Sequence, residues 1–147
     1  MANAFFTLTD LLFMALLAWC SVSDLKKREI PNAAILLTLG LAVAHLIGAI
    51  YLEMAWYGYL IGMLLAIPFF IAWMKGLFGG GDVKLLFAIG LYLGVSLTLI
   101  SLTFALVVCI GMIIWRAVSR RGIRVRLPLA PVLSIGAVMA VALNYLF

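Results

Sequence analysis

Residues 85–115 read LLFAIGLYLGVSLTLISLTFALVVCIGMIIW, an apolar run of 31 residues without a charged side chain. One membrane-crossing helix needs about 20 such residues, so this run is long for one crossing and short for two. The flanking charges decide between them, because Lys84 precedes the run and Arg116 follows it. If both flanks lie in the cytoplasm, an even number of crossings separates them. We therefore expect a turn near residues 94–96, Gly-Val-Ser, between a short helix and one of normal length.

The rest of the chain has the same membrane character. Of its 147 residues, 68% are hydrophobic and 10% are charged, whereas soluble domains average about 45–50% and about 25%. The composition predicts an all-α, polytopic membrane bundle of about six helices, forming a single domain over residues 1–147. The other predicted spans are Phe5–Val22, Ala33–Leu52, Gly58–Met74 with a kink at Pro68, and Leu129–Phe147.

Charge is distributed unequally between the predicted loops. Three loops carry all the Lys and Arg residues, at 24–32, 75–84 and 116–126, while the opposite side carries Asp10 and Glu53. Basic loops mark the cytoplasmic side, so we expect both termini to lie outside the cytoplasm. The net charge of +5 does not indicate nucleic-acid binding, because no aromatic and basic binding module accompanies it.

Few residues could carry chemistry. His45 is the single histidine, so the H-E-x-x-H zinc motif is excluded, and no G-x-S-x-G elbow is present. We interpret His45 as a packed helix residue with a local hydrogen bond. Cys20 and Cys109 lie singly in apolar runs, which is typical of packing residues, so we expect no metal site. Asp24 and Asp82 remain, each at the mouth of a helix on the same predicted face.

Each of these two aspartates has a simple structural explanation. Asp82 could cap a helix that begins near Val83, with glycines 79–81 forming a turn. Asp24 could be a solvated charge balanced by Lys26 and Lys27. As a pair they suggest catalysis, because two carboxylates brought close share one proton. One could then activate water as a base while the other protonates a peptide carbonyl as an acid, without a metal or organic cofactor.

Two motifs contain these aspartates. Residues 79–86, GGGDVKLL, contain a G-x-G-D sequence, and residues 24–32, DLKKREIPN, fit the pattern D-x-x-x-R-x-I-P-N. Together, in this order on one predicted face, they resemble the type IV prepilin peptidases, a family of G-x-G-D aspartic membrane proteases. The chain is most similar to the minimal, peptidase-only class associated with tight-adherence (Flp-type) pili, because it has no paired C-x-x-C motifs. We therefore expect no N-terminal methyltransferase region.

The resemblance implies an aspartic endopeptidase that removes the short basic leader of type IV prepilins or pseudopilins. Cleavage would occur at the cytoplasmic face of the bacterial inner membrane, with Asp24 and Asp82 as the catalytic pair. Flexible glycines would let the backbone approach an extended substrate strand. The residues that match the motifs, and to which the resemblance assigns supporting roles, are Arg28, Ile30, Pro31, Asn32, Gly79, Gly80, Gly81 and Lys84.

Several alternatives stay open. Lys84 and the basic first loop could contact lipid headgroups or an acidic group of the substrate, or Lys26 and Lys27 could simply anchor the loop in the cytoplasm. The whole chain could instead be a small transporter or channel subunit, or a non-enzymatic scaffold of pilus assembly. Presenilin-like proteases share G-x-G-D, but PLAP at 128–131 does not match their P-A-L element.

Overall fold

The computed structural model describes residues 2–76, 79–118 and 129–146. These residues contain helices and no strand, and five helical segments among them are long and apolar enough to cross a membrane. The all-α membrane bundle expected from composition is confirmed. The basic residues at 119–128 lie outside the described residues. The helices are α1 (Ala2–Lys27), α2 (Asn32–Tyr51), α3 (Tyr57–Leu64), α4 (Ile67–Met74), α5 (Gly80–Val118) and α6 (Leu129–Leu146).

Helix α5 contains the predicted turn. A straight helix of its 39 residues would be about 58 Å long, nearly twice the thickness of the bilayer core. The helix is interrupted at Gly94, whose backbone has φ 73° and ψ 178°. Glycine adopts a positive φ without the steric cost that a Cβ imposes. The interruption therefore falls within residues 94–96, where charge balance placed the turn.

Helix α6 defines the two ends of the bundle. At its start, the backbone N–H of Ala130 donates to the carboxylate of Asp24. Near its other terminus, the hydroxyl of Tyr145 donates to Asp10, with 2.6 Å between the oxygens. We call these the Asp24 end and the Asp10 end of the bundle.

The chain reverses direction at Gly94. Before this residue, α5 runs from Asp82, which interacts electrostatically with Asp24, to Tyr92, which donates a hydrogen bond to Asp10. After it, the backbone of Ser101 packs against Gly136, in the middle of α6. A helix that continued straight would have passed beyond the end of α6, so α5 returns towards the Asp24 end. The total number of crossings and their orientation in the membrane remain predictions.

The third predicted span is interrupted beside Pro68. Helices α3 and α4 are separated at Leu65 and Ala66, whose N–H groups bond to carbonyls three residues back, a tighter turn than the α-helix. Proline lacks an N–H group, and its ring clashes with the carbonyl four residues earlier. The predicted kink is confirmed as a short break just before the proline. The boundaries of α2 and α6 lie within one residue of their predicted spans, whereas α1 extends beyond its predicted span at both ends.

Glycines let the helices approach closely around α5. A Cβ atom on Gly62 of α3 would overlap the carbonyl oxygen of Gly90, and one on Gly136 of α6 would overlap the carbonyl oxygen of Ser101. Small residues at such contacts are typical of membrane helix interfaces, where association depends on van der Waals packing. This packing holds both halves of α5 in place. It therefore also fixes Asp82, at the start of the first half, and Tyr92, near the end of that half.

Candidate functional site

Asp24 lies in the last turn of α1, enclosed by the bundle. The residue is 9% exposed, although residues 25–29, which follow it, are exposed. Its carboxylate accepts the N–H of Ala130, and among the described residues its Oδ2 has no hydrogen-bond partner. An unsatisfied buried oxygen costs free energy unless a water, a proton or a ligand engages it. Asp24 is therefore not the solvated charge that one interpretation of the sequence allowed.

Helix α1 ends at Lys27, three residues after Asp24, with a left-handed cap. Arg28 has φ 54°, and its N–H donates to the carbonyl of Asp24 across 2.8 Å. This single bond is the one made by an αL helix cap. The sequence placed the start of the loop at Asp24, which is wrong, because the helix continues through Lys27. Asp24 is consequently held by a rigid helix rather than by a loop.

Asp82 is the third residue of α5 and is half-buried. Its position in the first turn places a carboxylate near the positive end of the helix dipole. The sequence suggested that the helix could begin near Val83 with Asp82 as its cap. This is wrong, because α5 begins at Gly80 and includes both Asp82 and Lys84. Asp82 is therefore not the residue that precedes the helix, and its carboxylate instead lies within the first turn.

The glycines before Asp82 make room for three neighbours. A Cβ on Gly79 would lie 2.7 Å from Oδ2 of Asp82. A Cβ on Gly80 would lie 3.1 Å from the indole nitrogen of Trp73, and one on Gly81 would lie 3.4 Å from Cβ of Ile30. The carboxylate, α4 and the first loop therefore all pack against the backbone of this short segment. Through Ile30, the two sequence motifs contact each other directly.

The two carboxylates interact electrostatically across this contact. Asp82 feels the charge of Asp24, and both side chains have lost part of their hydration. Two such carboxylates do not ionise independently, so the pair retains a proton over a range of pH in which isolated carboxylates would both be charged. This arrangement can supply a base and an acid at one place.

A sequence profile of the type IV leader peptidase family matches residues 11–115. The chain belongs to this family. It is also 33% identical, over 135 residues, to a prepilin leader peptidase/N-methyltransferase of Bacillus subtilis (strain 168). The alignment covers 87% of this chain and 52% of that relative, so the chain spans about half of the relative's length. No solved structure matches the chain.

The matched region of this leader peptidase family member includes both aspartates and both motifs. Of the supporting residues, Ile30, Gly79, Gly80 and Gly81 are brought together with Asp82. Pro31 has the extended backbone that precedes α2. The remaining three, Arg28, Asn32 and Lys84, have exposed side chains.

Two contacts of the candidate site were not expected from the sequence. Ala130 lies in the PLAP segment, which did not match the P-A-L element, yet its N–H reaches Asp24. Trp73 lies in an apolar span that carried no motif, yet its ring covers Gly80. One feature of the sequence could have pointed to Ala130. It lies at the start of a predicted helix that follows a basic loop, and that loop is on the same predicted face as Asp24.

Metal ligands are not gathered at this site. Within the described residues, no three His, Cys, Asp or Glu side chains lie close enough together to hold a metal ion. His45 lies near the Asp10 end, buried, with its Nδ1 3.2 Å from the hydroxyl oxygen of Thr9. The packed position of His45 agrees with the sequence interpretation, but its partner is on α1 rather than local.

Proposed function

We propose that the chain is an aspartic endopeptidase that removes the leader peptide of type IV prepilins or pseudopilins. The observation that carries this proposal is the pairing of Asp24 with Asp82 at one end of the bundle, where Asp24 is buried and has one carboxylate oxygen without a partner. Membership of the leader peptidase family supports the reaction class. The related Bacillus subtilis protein, named a prepilin leader peptidase, supports the substrate class.

The proposed reaction uses one shared proton. The charged carboxylate removes a proton from water, which attacks the carbonyl carbon of the scissile peptide bond. The protonated carboxyl gives its proton to the carbonyl oxygen, forming a tetrahedral diol. On collapse of this intermediate the C–N bond breaks, and the amine leaves with a proton returned by the pair. The two aspartates suffice for this sequence of steps.

We assign the base to Asp24 and the acid to Asp82. Burial raises the pKa of both carboxyls, and on Asp24 a hydrogen bond from the N–H of Ala130 partly offsets this rise. Asp82 faces the charge of Asp24, which favours retention of a proton on Asp82. The unpartnered Oδ2 of Asp24 is the atom that would accept the proton of water.

The substrate would reach the pair at the cytoplasmic face of the bacterial inner membrane. Exposed cations lie within four residues of each aspartate in the sequence, at Lys26, Lys27, Arg28 and Lys84. Each such residue near an anionic lipid surface contributes about 1 kcal/mol of attraction. We propose that they hold this end of the bundle against lipid headgroups, where the leader of a membrane-inserted pilin would meet the site. The proposal concerns peptide cleavage alone and does not include N-methylation.

Transport is the competing function, and the position of the acids argues against it. Transporter sites lie near the middle of the bilayer, between broken helices. Asp24 is in the last turn of α1 and Asp82 in the first turn of α5, so both lie at helix termini. A scaffold role would not require two carboxylates to share a partly desolvated site.

A cleavage assay tests the proposal. Membranes carrying wild type, Asp24→Asn or Asp82→Asn are mixed with a prepilin substrate, and leader removal is followed by gel and by mass spectrometry. Each substitution should abolish cleavage while the protein still inserts. Glu29→Gln is the matched control, since Glu29 is an exposed acid in the same loop. Cleavage that survives either aspartate substitution would overturn the proposed pair.

A further inference from the structure

A polar cavity lies at the Asp10 end of the bundle, away from Asp24 and Asp82. Its volume is about 530 Å³, within the range typical of small-molecule sites. Helices α1, α2, α3, α5 and α6 all contribute to its walls. The residues that matter for its chemistry are Asp10, His45, Tyr59, Tyr92, Asn144 and Tyr145.

Asp10 supplies a fixed negative charge to this cavity. Its Oδ1 accepts the hydroxyl of Tyr92 and its Oδ2 accepts the hydroxyl of Tyr145, each at 2.6 Å. Oxygen–oxygen distances this short are typical of charge-assisted bonds to an ionised carboxylate. Each carboxylate oxygen can accept a second hydrogen bond, so both retain capacity for a further donor.

No protein cation balances this charge among the described residues. The sequence places every Lys and Arg at residues 26–28, 75, 84 and 116–126, and none of the residues that line the cavity is basic. Hydroxyl dipoles orient the carboxylate but do not neutralise it. Since a partly buried charge is costly unless it is paired, the cavity has the electrostatics of a site for a cation.

The remaining walls suit an organic cation better than a bare metal ion. The His45 ring lies 4.9 Å from Phe6, 5.6 Å from Tyr59 and 4.3 Å from Tyr92, between ring centroids, so these rings form one aromatic wall. One face of Tyr92 is covered by Phe13, which stacks on it at 3.9 Å. Aromatic faces attract ammonium groups through their quadrupoles. The hydroxyl of Thr9 donates to the carbonyl of Phe6, and the same hydroxyl oxygen lies 3.2 Å from Nδ1 of His45, which fixes the imidazole ring in this wall.

We propose that this cavity binds a primary ammonium group, which donates hydrogen bonds to the carboxylate of Asp10 and rests against the aromatic wall. Two sources present this chemistry at a membrane surface, the headgroup of an ethanolamine phospholipid and a small soluble amine. The site is independent of peptide cleavage, because it lies at the other end of the bundle. A bound ammonium would join α1, α5 and α6 through Asp10, Tyr92 and Tyr145.

Binding is measured on the full chain in an uncharged detergent. Ethanolamine is titrated while thermal unfolding is followed, and retention of phosphatidylethanolamine, phosphatidylcholine or phosphatidylglycerol is followed by native mass spectrometry. We expect ethanolamine or phosphatidylethanolamine to bind, and phosphatidylcholine, whose quaternary nitrogen has no N–H, to bind more weakly. A response to ethanolamine alone indicates a soluble amine, and preferential retention of phosphatidylethanolamine indicates the lipid. Absence of both, or equal retention of phosphatidylglycerol, overturns the proposal.

Asp10→Asn should weaken ammonium binding about ten- to a hundredfold, the usual effect of losing a hydrogen bond to a charged group. Glu53→Gln is the matched control, since Glu53 is an exposed acid that does not line the cavity, and its binding should equal that of wild type. A cooperative thermal unfolding transition reports whether each variant is folded. If Asp10→Asn does not fold, Tyr59→Leu removes part of the aromatic wall and should weaken binding. Unchanged binding in the folded variant refutes the assignment.

Discussion

Substituting Gly79 by alanine tests whether the position of the Asp82 carboxylate limits catalysis. The new Cβ would lie 2.7 Å from Oδ2 of Asp82, whereas contacts with Cβ atoms are tight at 3.0–3.4 Å and ordinary beyond that. The carboxylate must therefore move by about 0.3–0.7 Å, the difference between these distances. Because the aspartate side chain can rotate, the movement changes the geometry of the pair and leaves the helices in place.

The expected effect is on rate rather than on stability. A misplacement of about 1 Å of a reacting group can cost about a hundredfold in rate, so a shift of roughly half that size should cost about tenfold in kcat/KM. Thermal unfolding should change little, since the displaced atom is at the end of a side chain. The assay is leader cleavage at limiting substrate with purified protein, with unfolding measured on the same sample.

Gly81→Ala is the matched control, because Gly81 belongs to the same G-x-G-D motif. Its nearest neighbour would be Cβ of Ile30 at 3.4 Å, which is an ordinary contact, and alanine is favoured over glycine within a helix by about 1 kcal/mol. We expect a loss below about threefold. If Gly79→Ala cleaves at the wild-type rate, or if Gly81→Ala loses as much activity, the steric reasoning is wrong.

Three further predictions address the pair, the packing and a helix terminus. The plot of kcat/KM against pH should be bell-shaped, because low pH protonates the base and high pH removes the shared proton. A plot that falls on only one side would count against the pair. Gly62→Ala should lower thermal stability by about 1–3 kcal/mol through overlap with the α5 backbone, whereas Gly40→Ala, which meets nothing within 4 Å, should not. Arg28→Gly should raise stability by about 1 kcal/mol, because Arg28 has φ 54°, and an unfolding temperature that falls would contradict this.

Much of the fold could be predicted, because single residues determine where the helices turn or break. The turn within 85–115 followed from cations on both sides of an overlong apolar run, and it required a residue that tolerates a positive φ, which Gly94 provides. The break in the third span followed from Pro68. The ends of α1 and α5 were not predicted, because hydropathy marks where the apolar residues end and not where the helix ends. Lys26 and Lys27 are good helix formers, so α1 continues through them.

The candidate site was predictable to the extent that it depends on side-chain chemistry. Asp24 and Asp82 could be selected by eliminating other groups and by their motifs, and the electrostatic interaction between them agrees with that choice. The contact between Ile30 and Gly81 could not be derived, because it depends on how the first loop folds over the start of α5. The motifs contain both residues, but only the fold shows that these two meet.

Ala130 illustrates the physical reason for what the sequence left out. Its contribution to the site is a backbone N–H, which every residue except proline possesses, so no residue type could identify it. What makes this N–H available is its place in the first turn of α6, where the first four N–H groups have no partner within the helix. Secondary structure thus leaves this N–H without a partner, and helix packing directs it towards Asp24. The packing includes a hydrogen bond from Ser134 of α6 to the carbonyl of Leu17 in α1, which fixes the two helices against each other. A proline at position 130 would remove this donor without breaking the helix, because proline is tolerated there.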